Sequence, residues 1–553
     1  MNRDQARIEN YVVTRVERRW VWAFAGVVMF ATSLPYLIGF SNQGEQRQFT
    51  GFVFGVEDGN SYIAKMLTGA KGTWLFRTPY TTQSQGGVVA FLPYLLLGKL
   101  SAGPGQHEQL VALYHMFRFL SGLLVMHATY DFIAYFLDEI RLRKAGLAIA
   151  TLGGGLGWAI IFLGRENWLG ELPLEFYSPE TFGFLALFGI AHLNLARAAL
   201  LWGLTAYLHS VDRAETLDLD KIFRIGGFWL LAAIAQPLTA LVFGIVIGLH
   251  ISGLCLIQIW SWKKKNYFNA KKIKQVGESL FLAGLIPAPF MIYNFLTFNR
   301  DPYLIAWTAQ NIIKSPHPLQ YVLAYGAIAP FAYLGGRRLL AQSRFSALLP
   351  VAWALALPIL AYMPFNLQRR MPEGIWVAIV VLALYPFQST VSANKIPLGR
   401  WFPLAGVLFI SSLLLLAGGL LAVVHPSLPV FRPKSEIMAF KYLAENASVN
   451  DVVLAAYSSS NALPAWAPVR VVVGHGPESV GGLELTTKVN DFYSFDTTDQ
   501  ARRTFLDEQG IYYVLWGPAE RDLGGWNPRT ASYLENVFDN GEYSVFSVIN
   551  ADD

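Results

Sequence analysis

Apolar stretches close to the length of a bilayer crossing recur along most of this chain, and that recurrence limits the fold more than any motif does. A helix needs about 20 predominantly apolar residues to span a hydrocarbon core. Such stretches fall at 20–40, 110–137, 145–164, 182–208, 222–260, 276–296, 319–335, 347–363, 375–387 and 401–424. The run 222–260 breaks at Gln236-Pro237 and is long enough for two crossings, which brings the expected spans to eleven. The stretch 375–387 is the shortest of them. Charge agrees with this reading, because only 15% of the 553 residues are charged, whereas an average soluble domain carries roughly 25%. Many of the 16 Trp and 25 Tyr sit at the ends of apolar runs, where amphipathic rings favour the membrane interface.

Residues 1–19 are polar and basic, with Arg15, Arg18 and Arg19 just before the first span. That span is longer than the apolar core of a cleavable signal, so an uncleaved anchor is expected. Lys and Arg in short loops set the orientation. With the N-terminus inside, every inside loop is basic: Arg141, Arg143 and Lys144; Arg213 and Lys221; Lys263 to Lys265 with Lys271, Lys272 and Lys274; Arg337, Arg338 and Arg344; Lys395 and Arg400. The outside then receives 41–109, 165–181, 297–318, 364–374 and everything after the last span. The formal excess of +5 is spread over these small clusters, which gives no reason to expect nucleic acid as a partner. Cys255, the single cysteine, lies in an apolar run and has no partner for an internal disulfide.

From about residue 431 the composition is that of a water-soluble domain. Residues 434–445 and 499–508 read as helices; 451–457, 469–473 and 511–516 read as strands, and 543–549 as an edge strand. The expected organisation is therefore a membrane domain at 1–430, with a first external loop at 41–109, and an external α/β domain at 431–553. The tail can recognise an acceptor, cover a site or simply cap the structure. Its Asn446-Ala447-Ser448 triplet is a formal glycosylation sequon.

Four groups of residues can carry chemistry. Glu57-Asp58, in Val56-Glu57-Asp58-Gly59-Asn60-Ser61-Tyr62, follows the first span and precedes an expected short helix at 61–67. A carboxylate there can take a proton from a hydroxyl, or it can be a solvated turn with Asp at a capping position. Gln368-Arg369-Arg370 places two arginines in a loop assigned outside, against the charge bias; arginine forks suit phosphate oxygens. The other account of that pair is a loop on the inside, with neighbouring spans drawn differently. His115, Arg118, His192, Asn194, Arg197 and Gln236 are polar residues inside spans, where such groups line cavities or pair with one another. Glu180, in Tyr177-Ser178-Pro179-Glu180-Thr181, can pair with an arginine, orient an acceptor, ligate a metal or begin a helix. In the loop 297–318, Asp301, Trp307, Gln310 and His317 can line a sugar pocket, and Trp307 can equally be an interfacial anchor. Gly153-Gly154-Gly155-Leu156-Gly157 lies in an apolar span and suits close helix packing better than phosphate binding.

A first span followed by a long external loop with an acidic pair near its start resembles the GT-C superfamily of membrane glycosyltransferases. Further segments are similar to bacterial GT-C-like proteins: Ser178-Pro179-Glu180-Thr181-Phe182 with His192 downstream, Gln236-Pro237, Asn366-Leu367-Gln368-Arg369-Arg370 and Tyr513-Val514-Leu515-Trp516-Gly517-Pro518. The resemblance implies an α-helical polytopic membrane protein with about 11 transmembrane helices and a C-terminal extracytoplasmic α/β domain. It implies transfer of a hexose or pentose from a polyprenyl-phosphate sugar to a glycan, lipid or protein acceptor outside a plasma membrane. Asp58, with Glu57 beside it, maps onto the catalytic acid of the first loop, and Phe91-Leu92-Pro93-Tyr94-Leu95-Leu96-Leu97 onto a helix lying on the membrane. Arg369, Arg370 and Arg118 then fall to the donor phosphate, and Tyr62, His115, Glu180, His192, Trp307 and Gln368 to the substrates. No cofactor is required by the sequence. Members of the superfamily differ in their use of a divalent metal, and no ligand spacing decides it here. A transporter or flippase of a lipid-linked substrate, an O-antigen ligase-like enzyme and a non-catalytic scaffold also remain open at this point.

Overall fold

The computed structural model describes residues 13–213, 218–260, 270–342, 344–388, 391 and 402–549. The basic positions Lys263 to Lys265, Lys395 and Arg400 lie outside the described residues. Among the described residues, six helical stretches have the length and composition to cross a membrane: Arg15–Ser41, Gln106–Phe136, Pro237–Ile259, Phe345–Tyr362, Gln368–Phe387 and Gly406–Val424. The pair Ile273–Gly284 and Ala288–Phe298, bent by 58°, makes a seventh if it is one span. The chain is thus a helical membrane protein. It divides into two compact units.

The first unit comprises Met1–Ser33, Phe117–Tyr293 and Ile313–Gly418. Several expected spans are interrupted here for visible reasons. The helix Ile140–Leu152 ends at the glycine run, where Gly154 N–H donates to the Leu408 carbonyl at 2.7 Å. A Cβ on Gly155 would lie 2.6 Å from the Ala324 Cα, so the run serves both to stop a helix and to admit close packing. The long run breaks where expected, with Leu219–Ala235 capped by Gln236 and the next helix starting at Pro237. The short stretch Ile375–Leu384 is apolar on all sides, and Ile375 through Ala383 are buried. A helix with no polar face belongs in the middle of a bundle. It is approached closely by the helix Ala329–Leu340, since a Cβ on Gly335 would lie 1.7 Å from the Leu382 carbonyl oxygen.

The second unit comprises Leu34–Met116, Asn294–Ile312 and Gly419–Asp553. Strand Arg47–Phe49 pairs antiparallel with Phe431–Pro433. A five-stranded sheet runs in the order Arg470–Val471, Val452–Leu454, Ile511–Trp516, Ser544–Val548, Leu534–Asp539. Its first three strands are parallel and its last two join antiparallel. Ser544–Val548 is therefore interior rather than an edge; the edge is Leu534–Asp539, whose exposed Glu535 and Asn536 weaken the alternation that marks a strand. Helices Lys434–Asn446, Gly482–Tyr493 and Asp499–Gln509 accompany the sheet. The last starts at a Thr498 cap and stops at Gly510, whose φ is 60°.

In this unit the helix Val56–Ala70 starts five residues before the expected 61, because Gly55 adopts φ 57° and lets the chain turn into the helix at once. It crosses the helix Leu92–Gly98 backbone against backbone. A Cβ on Gly69 would lie 2.1 Å from the Leu95 carbonyl oxygen, and one on Gly98 would lie 1.8 Å from that of Met66.

Candidate functional site

The early start of the helix Val56–Ala70 puts Glu57 and Asp58 in its first turn, both exposed. Free backbone N–H groups and the helix dipole favour ionised carboxylates at that end. Neither residue is the cap, which is Gly55 without a side-chain bond. Ser61 and Lys65, one turn apart, are buried on the same helix, and the Lys65 ammonium forms an ion pair with Glu478. The two side chains are 1% and 3% exposed, so each charge depends on the other. Ser61 Oγ donates to Glu478 Oε1 at 2.8 Å and Thr78 Oγ1 donates to Oε2 at 2.5 Å. Burial pushes the Glu478 carboxyl up, but Lys65, His475 and these hydrogen bonds together hold it below the ordinary value.

Glu478 lies on the turn Gly474-His475-Gly476-Pro477-Glu478-Ser479, beyond the strand Arg470–Val471. Ser479 Oγ accepts from the Gly474 and His475 N–H groups at 3.2 and 3.3 Å and donates to the Tyr80 carbonyl at 2.9 Å. Asn461 Nδ2 donates to the Gly474 carbonyl at 2.8 Å. The turn so held presents His475 Nε2 3.2 Å from Asp58 Oδ1, with Nδ1 3.7 Å from Glu478 Oε1. Tyr457 hydrogen-bonds Glu57, and its phenol is raised by burial first and then by that carboxylate. An exposed acid pair is thus met by an imidazole and a phenol from the tail, above a buried ion pair.

The arginine loop belongs to the first unit. Gln368–Arg370 forms one turn of 3-10 helix, and Gly374 at φ 76° opens the helix Ile375–Leu384. Arg370 Nε lies 3.5 Å from Glu180 Oε1, with the arginine side chain 35% exposed and the glutamate 6%. The Arg369 guanidinium lies 4.5 Å from the centre of the Tyr177 ring, and its buried Nε has no acceptor among the described residues. Gln368 Oε1 accepts from Ser315 N–H at 3.3 Å. Arg197, buried, grips Glu373 with two nitrogens and donates to the Pro179 and Phe182 carbonyls at 2.6 and 3.3 Å. A small cavity beside this network is lined by Glu180, Thr181, Arg197, Gly374 and Trp376.

The other residues singled out from sequence are placed as follows. Arg118 is 1% exposed and donates to Thr32 Oγ1, Ser33 Oγ and the Leu187 carbonyl at 3.2, 2.7 and 3.1 Å. His192 is half-buried near the start of the helix Ala191–Arg213. His115 Nε2 is 2.9 Å from the Gly51 carbonyl oxygen, and its ring packs on Tyr36 and Phe52. Tyr62 stacks on Tyr94 and Tyr114 at 4.8 and 5.9 Å. Trp307 is 7% exposed and packs with Phe76, Phe91 and Tyr303, so it sits in an apolar core and not at an interface. Asp301 caps the helix Pro302–Gln310 through a bond from Leu304 N–H at 3.1 Å. Among the described residues, no group of three or more His, Cys, Asp or Glu is placed to hold a metal ion.

Sequence reasoning missed Lys65, His475, Glu478 and Glu373. Two signals were present. A lysine between Ile63, Ala64, Met66 and Leu67 requires a buried partner, and a His and a Glu in a Gly/Pro turn after a parallel strand occupy the end of a sheet where functional groups gather.

No protein-family model and no curated relative matches the chain. Among solved structures, the apo oligosaccharyltransferase of Archaeoglobus fulgidus matches with a TM-score of 0.56 and 13% identity, covering 97% of this chain and 75% of that one. The apo form of ArnT from Cupriavidus metallidurans matches with a TM-score of 0.49 and 13% identity, over 95% of this chain and 98% of that one. At such identity the first likeness speaks for architecture alone: the chain shares the fold of that archaeal protein.

Proposed function

We propose that this chain is a glycosyltransferase that moves a sugar from a polyprenyl-phosphate donor to an acceptor on the outer side of a plasma membrane. The observation that carries the reading is the exposed Asp58 on an anchored helix, in contact with His475. Asp58 takes the proton of an acceptor hydroxyl as its oxygen attacks the anomeric carbon, and the bond from that carbon to the phosphate oxygen breaks. His475 orients the Asp58 carboxylate, and Glu57 is held through Tyr457. The departing phosphate gains charge, and Arg369 and Arg370 supply the fixed positive charge that stabilises it. The Arg369 Nε, which has no acceptor among the described residues, supports that role. The archaeal protein whose fold the chain shares is an oligosaccharyltransferase, which favours group transfer over transport.

The test is transfer of radiolabelled sugar from a panel of polyprenyl-phosphate sugars by the full chain in nanodiscs, with a membrane glycan extract as acceptor. Labelled product with wild type and none with Asp58→Asn is expected. Full turnover by the variant would remove Asp58 as base, and donor movement without product would favour a flippase.

A further inference from the structure

The second unit contains a groove that the reading above does not use. It offers about 320 Å³ between the segment 64–85 and the residues 449–470, at the lower end of the usual range for ligand sites. Lys71, Arg77 and Arg470 line it, and no Asp or Glu does. Among the described residues none of the three forms an ion pair. Three other arginines of the same unit are paired, Arg432 with Glu436, Arg502 with Asp499 and Arg529 with Asp539, whereas Arg47 and Arg521 donate to backbone carbonyls as Arg470 does.

Arg470 is the most instructive of the three. Its Nε and one terminal nitrogen donate to the Thr81 carbonyl at 3.0 and 2.8 Å, and that same nitrogen reaches the Gln83 carbonyl at 3.3 Å. These bonds fix the guanidinium without neutralising it, and burial pushes its pKa down. A half-buried cation with only neutral partners is costly to keep. The wall itself is firm. Phe76 and Val88 form an antiparallel bridge, and Gln85 bonds the Thr78 N–H and carbonyl at 2.9 and 2.7 Å. Gln83, Ser84 and Asn450 add amides and a hydroxyl, and Pro79, Pro464 and Pro468 add flat apolar patches. Amides suit sugar hydroxyls and the prolines suit the C–H faces of a pyranose, whereas the aromatic platforms of a nucleic-acid groove are missing from the lining. Thr78 is shared with the site described above, because it also donates to Glu478.

We propose that this groove binds an anionic saccharide, a glycan carrying carboxylate or phosphate groups, as the acceptor. The word acceptor rests on the glycosyltransferase reading; the binding does not.

The experiment is fluorescence anisotropy of a labelled hexagalacturonate, with labelled maltohexaose as the neutral control, on the full chain in zwitterionic nanodiscs. Wild type should bind the acidic probe at least tenfold more tightly than the neutral one, and less tightly as salt rises. Lys71 and Arg77 are exposed, so the double variant K71Q/R77Q should keep the wild-type melting point and lose tenfold or more in affinity. Equal binding of both probes, or equal binding by wild type and variant, would overturn the proposal. Nanodiscs containing phosphatidylglycerol separate a lipid source of the same charge: full blockade would assign the groove to lipid headgroups and end the saccharide assignment, and unchanged binding supports it. Binding of the acidic probe by a chain that yields no transfer product would keep the groove and remove the transferase reading. Transfer without such binding would do the reverse.

Discussion

His475 Nε2 stands 3.2 Å from Asp58 Oδ1 although the two residues are 417 positions apart in the chain. An imidazole at that distance is within hydrogen-bond reach of the carboxylate, so it sets the aim of the group. Asp58→Asn is expected to lower the transfer rate by about 10²- to 10⁴-fold, the usual value of a positioned acid or base. His475→Gln should cost less and act on kcat more than on KM, because the carboxylate keeps its place on the helix and loses only the group that orients it. A purely structural histidine would lower the melting point and leave the kcat of the folded enzyme where it was.

The Lys65–Glu478 pair should behave as a buried pair does. Glu478→Gln leaves an ammonium without its counter-ion and is expected to cost about 3–5 kcal/mol in detergent unfolding. Replacing both residues with methionine should recover most of that loss, since two apolar side chains of similar volume remove the desolvation problem altogether. A double variant as unstable as the single one would mean that Ser61 and Thr78, not the charges, hold the region.

Acid should expose the same pair. Glu478 is held below the ordinary carboxylate value, chiefly by Lys65 and against the effect of burial. The folded chain therefore binds fewer protons at this position than the unfolded chain does as pH falls. Its contribution is fully present above the unfolded value of about 4.3 and is lost as pH drops below it through the folded value. Melting points measured from pH 6 downward should fall in that window for wild type and less for the double methionine variant.

For the arginine loop, Arg369→Ala should lower turnover by about 10²- to 10³-fold, by analogy with the loss of one preorganised donor. Arg369→Lys keeps the charge but loses the guanidinium fork that lies over Tyr177, so it should rescue only part of the rate. A full rescue would reduce the role of Arg369 to charge alone.

The membrane character and the break at Gln236-Pro237 were legible because length, apolarity and proline act locally. The acidic pair was legible for the same reason: Glu57 and Asp58 lie in the loop that follows the first span. His475, Glu478 and Glu373 were not, because what gives them meaning is a partner far away in sequence. Arg197 could be recognised as costly inside a span, but nothing nearby named Glu373 as the residue that neutralises it, 176 positions on. The strand Leu534–Asp539 was missed because an edge needs apolar residues on one face only, and here Glu535 and Asn536 interrupt the pattern. Helix interruptions inside apolar runs were hidden for the opposite reason, since hydropathy cannot distinguish one long helix from two short ones in contact.

The crossing of Gly69 and Gly98 makes the helix that carries Asp58 a lever with its pivot at the far end. At 1.5 Å per residue the acid lies about 16 Å from Gly69, so a tilt of about 4° displaces it by about 1 Å. An error of about 1 Å in a reacting group can cost about 10²-fold in rate. Two absent methyl groups therefore act as a range-finder for the carboxylate, and an alanine at either glycine would damage the chemistry by misaiming a residue it never touches.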